Sequence, residues 1–204
     1  HVQHFWRLLT HLGIPHATLL DLDLGRSGGG FGRVKTAIEK LIEFGVPKAN
    51  LLKIEGGMLS DADFAKMHTW QDADDRKLLK GWVDCLKPHA VYFSAPLDLD
   101  LARIAAFPDA YEAVIPKGGG PKMAVDKAAE VVLGTAGPGL ALYTGPYKDY
   151  PDLLPAYRYH FITNSKPATH LAALTHIKTK ALREDMPPLL SELLNHIAKC
   201  LRRD

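Results

Sequence analysis

Cysteine is nearly absent: Cys85 and Cys200 are the only two in 204 residues, without the paired spacing of a disulfide framework or a Cys-type zinc site. A reducing cytoplasm is the expected setting. No apolar run approaches the roughly 18 residues a membrane span needs, and no signal-peptide pattern opens the chain, so a soluble protein without a membrane partner is expected. Neither standard nucleotide loop occurs: G-x-x-x-x-G-K-[ST] is missing throughout, and G-x-G-x-x-G on Gly28 and Gly30 fails because position 33 is Arg. The histidines avoid H-E-x-x-H and zinc-finger spacings, which leaves His1, His4, His170 and His176 as surface or packing residues. There is also no repeat of the length, about 20 to 50 residues, that marks solenoids.

What is present is globular. Hydrophobic residues make up 47% and charged residues 24%, enough to bury one core of ordinary to large size. A net charge of +2 identifies no nucleic-acid partner. Charge is uneven, however: residues 55–85 carry seven acids against four Lys/Arg, and residues 151–204 eight Lys/Arg against five acids. That basic stretch suits either a polyanion or a solvated helical face.

Apolar periodicity predicts helices over 4–12, 31–45, 74–86, 99–107, 122–133, 152–161, 167–177 and 188–201, with strands at 16–22, 50–54, 90–94 and 140–143. Strands alternate with helices, which implies a parallel sheet flanked by helices, with a small helical subdomain. Residues 1–50 and 86–170 form the expected core, 51–85 an acidic and partly helical insertion, and 171–204 a helical segment. The chain starts at His1, within a helical pattern, and is expected to be a fragment.

Two near-identical hexapeptides, Asp21-Leu-Asp-Leu-Gly-Arg26 and Asp98-Leu-Asp-Leu-Ala-Arg103, each follow a short apolar run. On a strand, residues i and i+2 share a side, so Asp21 and Asp23 project together, as do Asp98 and Asp100 if extended. In open parallel sheets ligands gather at the carboxyl ends of strands, and so many carboxylates at one site call for a divalent cation. The competing reading has Asp21 and Asp23 ending a strand and Asp98 capping a helix.

Gly25-Arg-Ser-Gly-Gly-Gly-Phe-Gly-Arg33 leads into a helix and can offer backbone N–H groups, Arg26 and Arg33 to a phosphate, or serve as a flexible turn. Lys166 opens a helix where a cation opposes the dipole, which suggests an anionic neighbour or a solvated lysine. Lys117-Gly-Gly-Gly-Pro-Lys122 is a basic, mobile loop able to touch a polyanion.

Leu19-Leu-Asp-Leu-Asp-Leu-Gly-Arg26, Val91-Tyr-Phe-Ser-Ala-Pro-Leu-Asp-Leu-Asp100 and Asn164-Ser-Lys-Pro-Ala-Thr-His170, in that order, resemble the carboxy-terminal half of overcoming-lysogenization-defect (OLD) family nucleases, in a class 2-like form. The resemblance implies a Toprim catalytic fold and two-metal cleavage of DNA phosphodiester bonds by Mg²⁺ or Mn²⁺, with Ca²⁺ filling the sites without supporting cleavage. It makes Asp21 the metal-bridging aspartate, Asp23 its companion, Asp100 with Asp98 the holders of the second ion, and Lys166 the transition-state cation. DNA contacts fall to Arg26, Arg33, Lys117 and Lys122. It further implies an amino-terminal ATPase partner domain, oligomerisation through that half, and defence against phage. Toprim folds carry a glutamate on a strand before the D-x-D. None precedes Asp21, so this chain alone is expected to be impaired, and Glu55-Gly56 has the right local look in the wrong order. The alternatives are a non-catalytic DNA-binding or dimerising module and an Asp-based phosphatase.

Overall fold

The computed structural model describes residues 2–54, 57–71, 78–134 and 137–202. It is mixed α/β, 62% helical, with a small parallel sheet of two strands. The chain divides into two compact units, one of His1–Leu22, Gly28–Phe93 and Ser191–Asp204, the other of Asp23–Ser27 and Ser94–Leu190.

In the first unit, α1 (Val2–His11) buries Trp6, which lies edge-on to Phe44 at 6.0 Å and donates its indole N–H to Thr18 Oγ1 at 2.7 Å. β1 (Thr18–Asp21) leads to α2 (Phe31–Phe44), whose inward set Val34, Ala37, Ile38 and Leu41 has the i, i+3, i+4, i+7 spacing of a core-facing helix. Gly45 ends α2 at φ 112, its N–H reaching Leu41 O and Ile42 O. Next come α3 (Lys48–Leu51), the antiparallel pair β2 (Lys53–Ile54) and β3 (Gly57–Met58), and α4 (Asp61–Lys66), capped by Ser60. α5 (Leu79–Leu86) carries Trp82 against Trp70, which in turn meets Phe31. β4 (Val91–Ser94) is buried throughout and pairs with β1.

The strand expected over 50–54 is a helical turn followed by two extended residues. Leu51 and Leu52 are both 1% exposed, and two consecutive inward residues suit a helical turn but not the alternation of a strand. Glu55-Gly56 and the part of the expected 74–86 helix within 72–77 lie outside the described residues.

The second unit is built from α6 (Leu99–Ala106), α7 (Pro108–Ala113), α8 (Val125–Leu133), α9 (Gly137–Leu140), α10 (Leu154–Phe161), α11 (Lys166–Leu174), α12 (Thr179–Glu184) and the start of α13 (Pro188–Leu201). α10 is its centre, packing on α6, α8 and α11 with Leu154, Tyr157 and Phe161 buried. Burial of Leu154 and Phe161 contributes about 1.5–3 kcal/mol each. Instead of the strand expected at 140–143, α9 runs into a turn. Its placement follows from Gly25, where φ is +87 and a Cβ would stand 2.9 Å from Gly139 O, and from Tyr143, whose hydroxyl donates to Leu24 O at 2.9 Å. Among the described residues no helix is long and apolar enough to cross a membrane.

Candidate functional site

The loop 23–27 belongs to the second unit, although the chain on either side of it belongs to the first. Backbone pairing seats it: Asp23 N–H donates to Leu97 O at 2.8 Å and Leu24 N–H to Pro96 O at 2.9 Å. The two Asp-Leu-Asp segments thereby meet through Asp23 and the residues just before Asp98. β1 ends at Asp21 and Asp23 adopts φ 53, so the same-side rule for extended residues does not apply to this pair. Asp21, exposed at the end of β1, remains with the first unit.

Asp98 is itself extended, at φ −146° and ψ 179°, but the helix begins at the next residue, so Asp98 and Asp100 do not share a continuing strand. Asp98 is the N-cap of α6, its Oδ1 accepting Leu101 N–H at 3.0 Å, and Asp100 stands in the first turn. A helix starting at Leu99 satisfies an otherwise unpaired backbone N–H through Asp98, an option a strand would forgo.

A hydrogen-bonded cluster assembles around these carboxylates. Arg26 donates through Nη1 to Asp23 Oδ1 at 2.7 Å, through Nε to Val132 O at 2.9 Å and through Nη2 to the Tyr157 hydroxyl at 3.4 Å. Tyr157 donates its own O–H to Asp98 Oδ2 at 2.5 Å. Asp100 accepts Lys166 Nζ on Oδ2 at 2.5 Å and His170 Nε2 on Oδ1 at 2.8 Å, while the Tyr111 hydroxyl reaches His170 Nδ1 at 2.7 Å. The Lys166 ammonium also lies 5.8 Å from the Tyr157 ring centroid and 6.0 Å from that of Phe161.

The two α6 carboxylates are driven apart electrostatically. Burial raises Asp98 above the usual carboxylate range, and the neighbouring Asp100 charge adds to this against the hydrogen bonds from Tyr157 and Leu101. At Asp100 burial pushes the same way but is outweighed by His170 and Lys166, so its carboxyl falls below that range. Burial works against the Arg26 charge, yet its bonds to Tyr157 and Asp23 leave the guanidinium held more firmly protonated than usual. Tyr157 is raised by burial and by Asp98, and Tyr143 by burial, so both hydroxyls keep their protons at neutral pH.

Of the residues singled out in the sequence, Asp23, Arg26, Asp98, Asp100 and Lys166 come together in this cluster. Arg33 lies in the first unit, lining with Asp21, Thr36 and Lys40 a cavity of about 350 Å³. Lys117 and Lys122 are exposed in the segment between α7 and α8. Sequence reasoning missed Tyr111, Tyr157 and His170. His170, expected at the surface or as packing, has a side chain 15% exposed and two polar partners. Its signal was its position four residues after Lys166, which places both on one face of a helix. Among the described residues no group of three or more His, Cys, Asp or Glu stands at a spacing that could hold a metal ion. No family model matches the sequence, and neither curated proteins nor solved structures show a match.

Proposed function

We propose that the chain is the catalytic part of a DNA endonuclease, a nickase of Toprim type that works with two Mg²⁺ or Mn²⁺ ions as the carboxy-terminal portion of an ATPase-nuclease. The observation that carries the reading is the meeting of three sequence-distant motifs in one unit: Asp23 with Arg26, Asp98 with Asp100, and Lys166 with His170. The resemblance would assign the ions to Asp21, Asp23, Asp98 and Asp100, whose all-oxygen chemistry suits hard divalent cations, but among the described residues these carboxylates do not form a metal-holding group, and Asp21 belongs to the first unit while the other three belong to the second. When bound, such ions supply a water of lowered pKa and stabilise the leaving oxygen.

The chain's own residues contribute charge and orientation. Asp100 is ionised at neutral pH and can trade its lysine for another cation. Lys166, with 47% of its side chain exposed, is the cation in the cluster best placed to turn towards a phosphate and stabilise charge developing there. Arg26 spends its donors inside the protein, so its role in this reading is to hold Asp23 and the loop. Exposed Lys117 and Lys122 offer the duplex backbone further positive charge.

A second reading, a non-catalytic DNA-binding or dimerising module, draws support from the same cluster, because Asp23, Asp98 and Asp100 are each already met by a protein cation or hydroxyl. Nicking of supercoiled plasmid with Mg²⁺ or Mn²⁺ separates the two, assayed on the chain and on a form extended at its amino terminus. Metal-dependent nicking abolished by Asp23→Ala and by Asp100→Ala is the expected result. Metal-independent DNA binding, with no Mn²⁺ bound in calorimetric titration, would favour the second reading.

A further inference from the structure

The first unit has a cavity of its own, about 350 Å³, a size within the range of small-molecule sites. α2 forms one wall. Arg33, Thr36, Ala37 and Lys40 follow one another at i, i+3, i+4 and i+7, the spacing of a single helical stripe, so a cation stands at each end, about 10 Å apart along the axis, with a hydroxyl and a methyl between them. β1 supplies Leu19 and, at its end, Asp21, and Phe93 of β4 continues the apolar lining. Asp21 is the single acid among the described lining residues. Lys40 is paired with Glu43 at 2.7 Å on a part-exposed surface, and an ion pair of that kind exchanges readily for another anion. Thr36 Oγ1 donates to Gly32 O at 2.9 Å, which leaves its oxygen an acceptor. A ligand suited to this lining carries anionic oxygens, an N–H donor and an apolar face.

We propose that this cavity is a binding site for a single nucleotide, its phosphate oxygens taken by Arg33 and Lys40, an N–H of its base by Asp21, and its apolar face by Leu19, Ala37 and Phe93. Each part of the lining answers one part of that ligand. A guanidinium forks onto a pair of phosphate oxygens, and an ammonium on a flexible stem meets a phosphate as a point charge. A carboxylate only accepts, so Asp21 selects a base that presents an N–H, as acidic side chains do with the cytosine amino group. Inorganic phosphate satisfies the cations alone and meets the Asp21 charge with nothing to donate. The same chemistry has two sources, a free mononucleotide and an unpaired nucleotide of a DNA strand. The second rests on the nuclease reading and deepens it. In a duplex the N–H edge of a base is engaged by the opposite strand, so the cavity would admit only an unpaired nucleotide, which makes single-stranded, gapped or looped DNA the substrate class.

Titration of the ¹⁵N-labelled chain with deoxycytidine monophosphate tests the site without metal or DNA, and should shift the amides of Leu19, Thr36 and Ala37 saturably. Deoxycytidine and inorganic phosphate, each lacking half of the ligand, should bind about tenfold more weakly or worse. Arg33→Gln and Lys40→Gln should each weaken binding of the monophosphate about tenfold. Thr36→Phe places a ring at an exposed lining position, outside the core, and should abolish binding while the urea midpoint stays near native. Absence of saturable binding, inorganic phosphate binding as tightly as the monophosphate, or undiminished binding in Thr36→Phe overturns the proposal. A short single-stranded oligodeoxycytidine that displaces the monophosphate, where the matching duplex does not, assigns the site to a DNA strand. Monophosphate binding that the oligonucleotide leaves untouched assigns it to the free nucleotide, and displacement by the duplex equal to that by the single strand overturns the unpaired-nucleotide substrate. Nicking assayed in parallel keeps the two readings apart: binding in a protein that nicks no DNA leaves the site standing and the nuclease reading refuted, and nicking without binding does the reverse.

Discussion

Asp98 answers two buried groups at once, and that makes its replacement the sharpest measure of the site's construction. Alanine there removes the N-cap acceptor from Leu101 N–H, a loss of about 0.5–2 kcal/mol. It also strands the Tyr157 hydroxyl, on a residue 1% exposed, for about 1–3 kcal/mol more. Together the loss should be about 1.5–5 kcal/mol. Asparagine caps as well as aspartate, presents an amide to a hydroxyl that can accept, and removes a charge that burial disfavours. Its effect should stay within about 1 kcal/mol. Urea unfolding at neutral pH, read as a shift in midpoint at constant slope, measures both. An alanine variant as stable as the native chain, or an asparagine variant as damaged as alanine, would refute the reasoning. A pH series adds a sign. Because the folded pKa of Asp98 is raised, the folded chain takes up this proton before the unfolded one, so native stability relative to Asp98→Asn should improve as pH falls through that folded pKa.

Asp100 should behave in the opposite sense. Its folded pKa is lowered, so its contribution is complete above the unfolded carboxylate pKa and lost as pH falls through the folded one, and Asp100→Asn should flatten the acid limb of a stability-against-pH curve. Gly25→Ala places a Cβ 2.9 Å from Gly139 O at φ +87, and should destabilise by about 1–3 kcal/mol from backbone strain alone, checked by the same urea titration.

Helices with long amphipathic faces were legible in the sequence. α2 and α13 follow their apolar spacing because a face repeated over several turns leaves little room for another structure. Short apolar runs were not. Residues 140–143 have the composition of a strand, but their course is set by contacts more than 100 residues away, at Leu24 and Gly25. Leu51 and Leu52 point inward together for a reason that no local pattern carries. Within the site, the aspartates stood out because acids at strand ends are unfavourable without a partner. Tyr157 and Tyr111 did not, since each finds its partner 59 residues away in sequence and looks locally like an ordinary aromatic. His170 fits no metal-motif spacing, and its informative feature is the four-residue step from Lys166.

The loop 23–27 makes the second unit discontinuous in sequence, and this governs how the protein can be taken apart. Five residues have almost no interior of their own. They are anchored by two backbone bonds, by the Tyr143 hydroxyl and by two donors of Arg26, to Val132 O and the Tyr157 hydroxyl. A fragment comprising 94–190 alone would contain nearly all the helices of that unit yet lack every one of those anchors, leaving Val132 O, Tyr143 and one face of Tyr157 open. Dissection of this protein by contiguous truncation therefore removes the cluster's keystone along with the first unit, and a linker-joined or circularly permuted chain that retains 23–27 is the smallest piece in which the cluster keeps its partners.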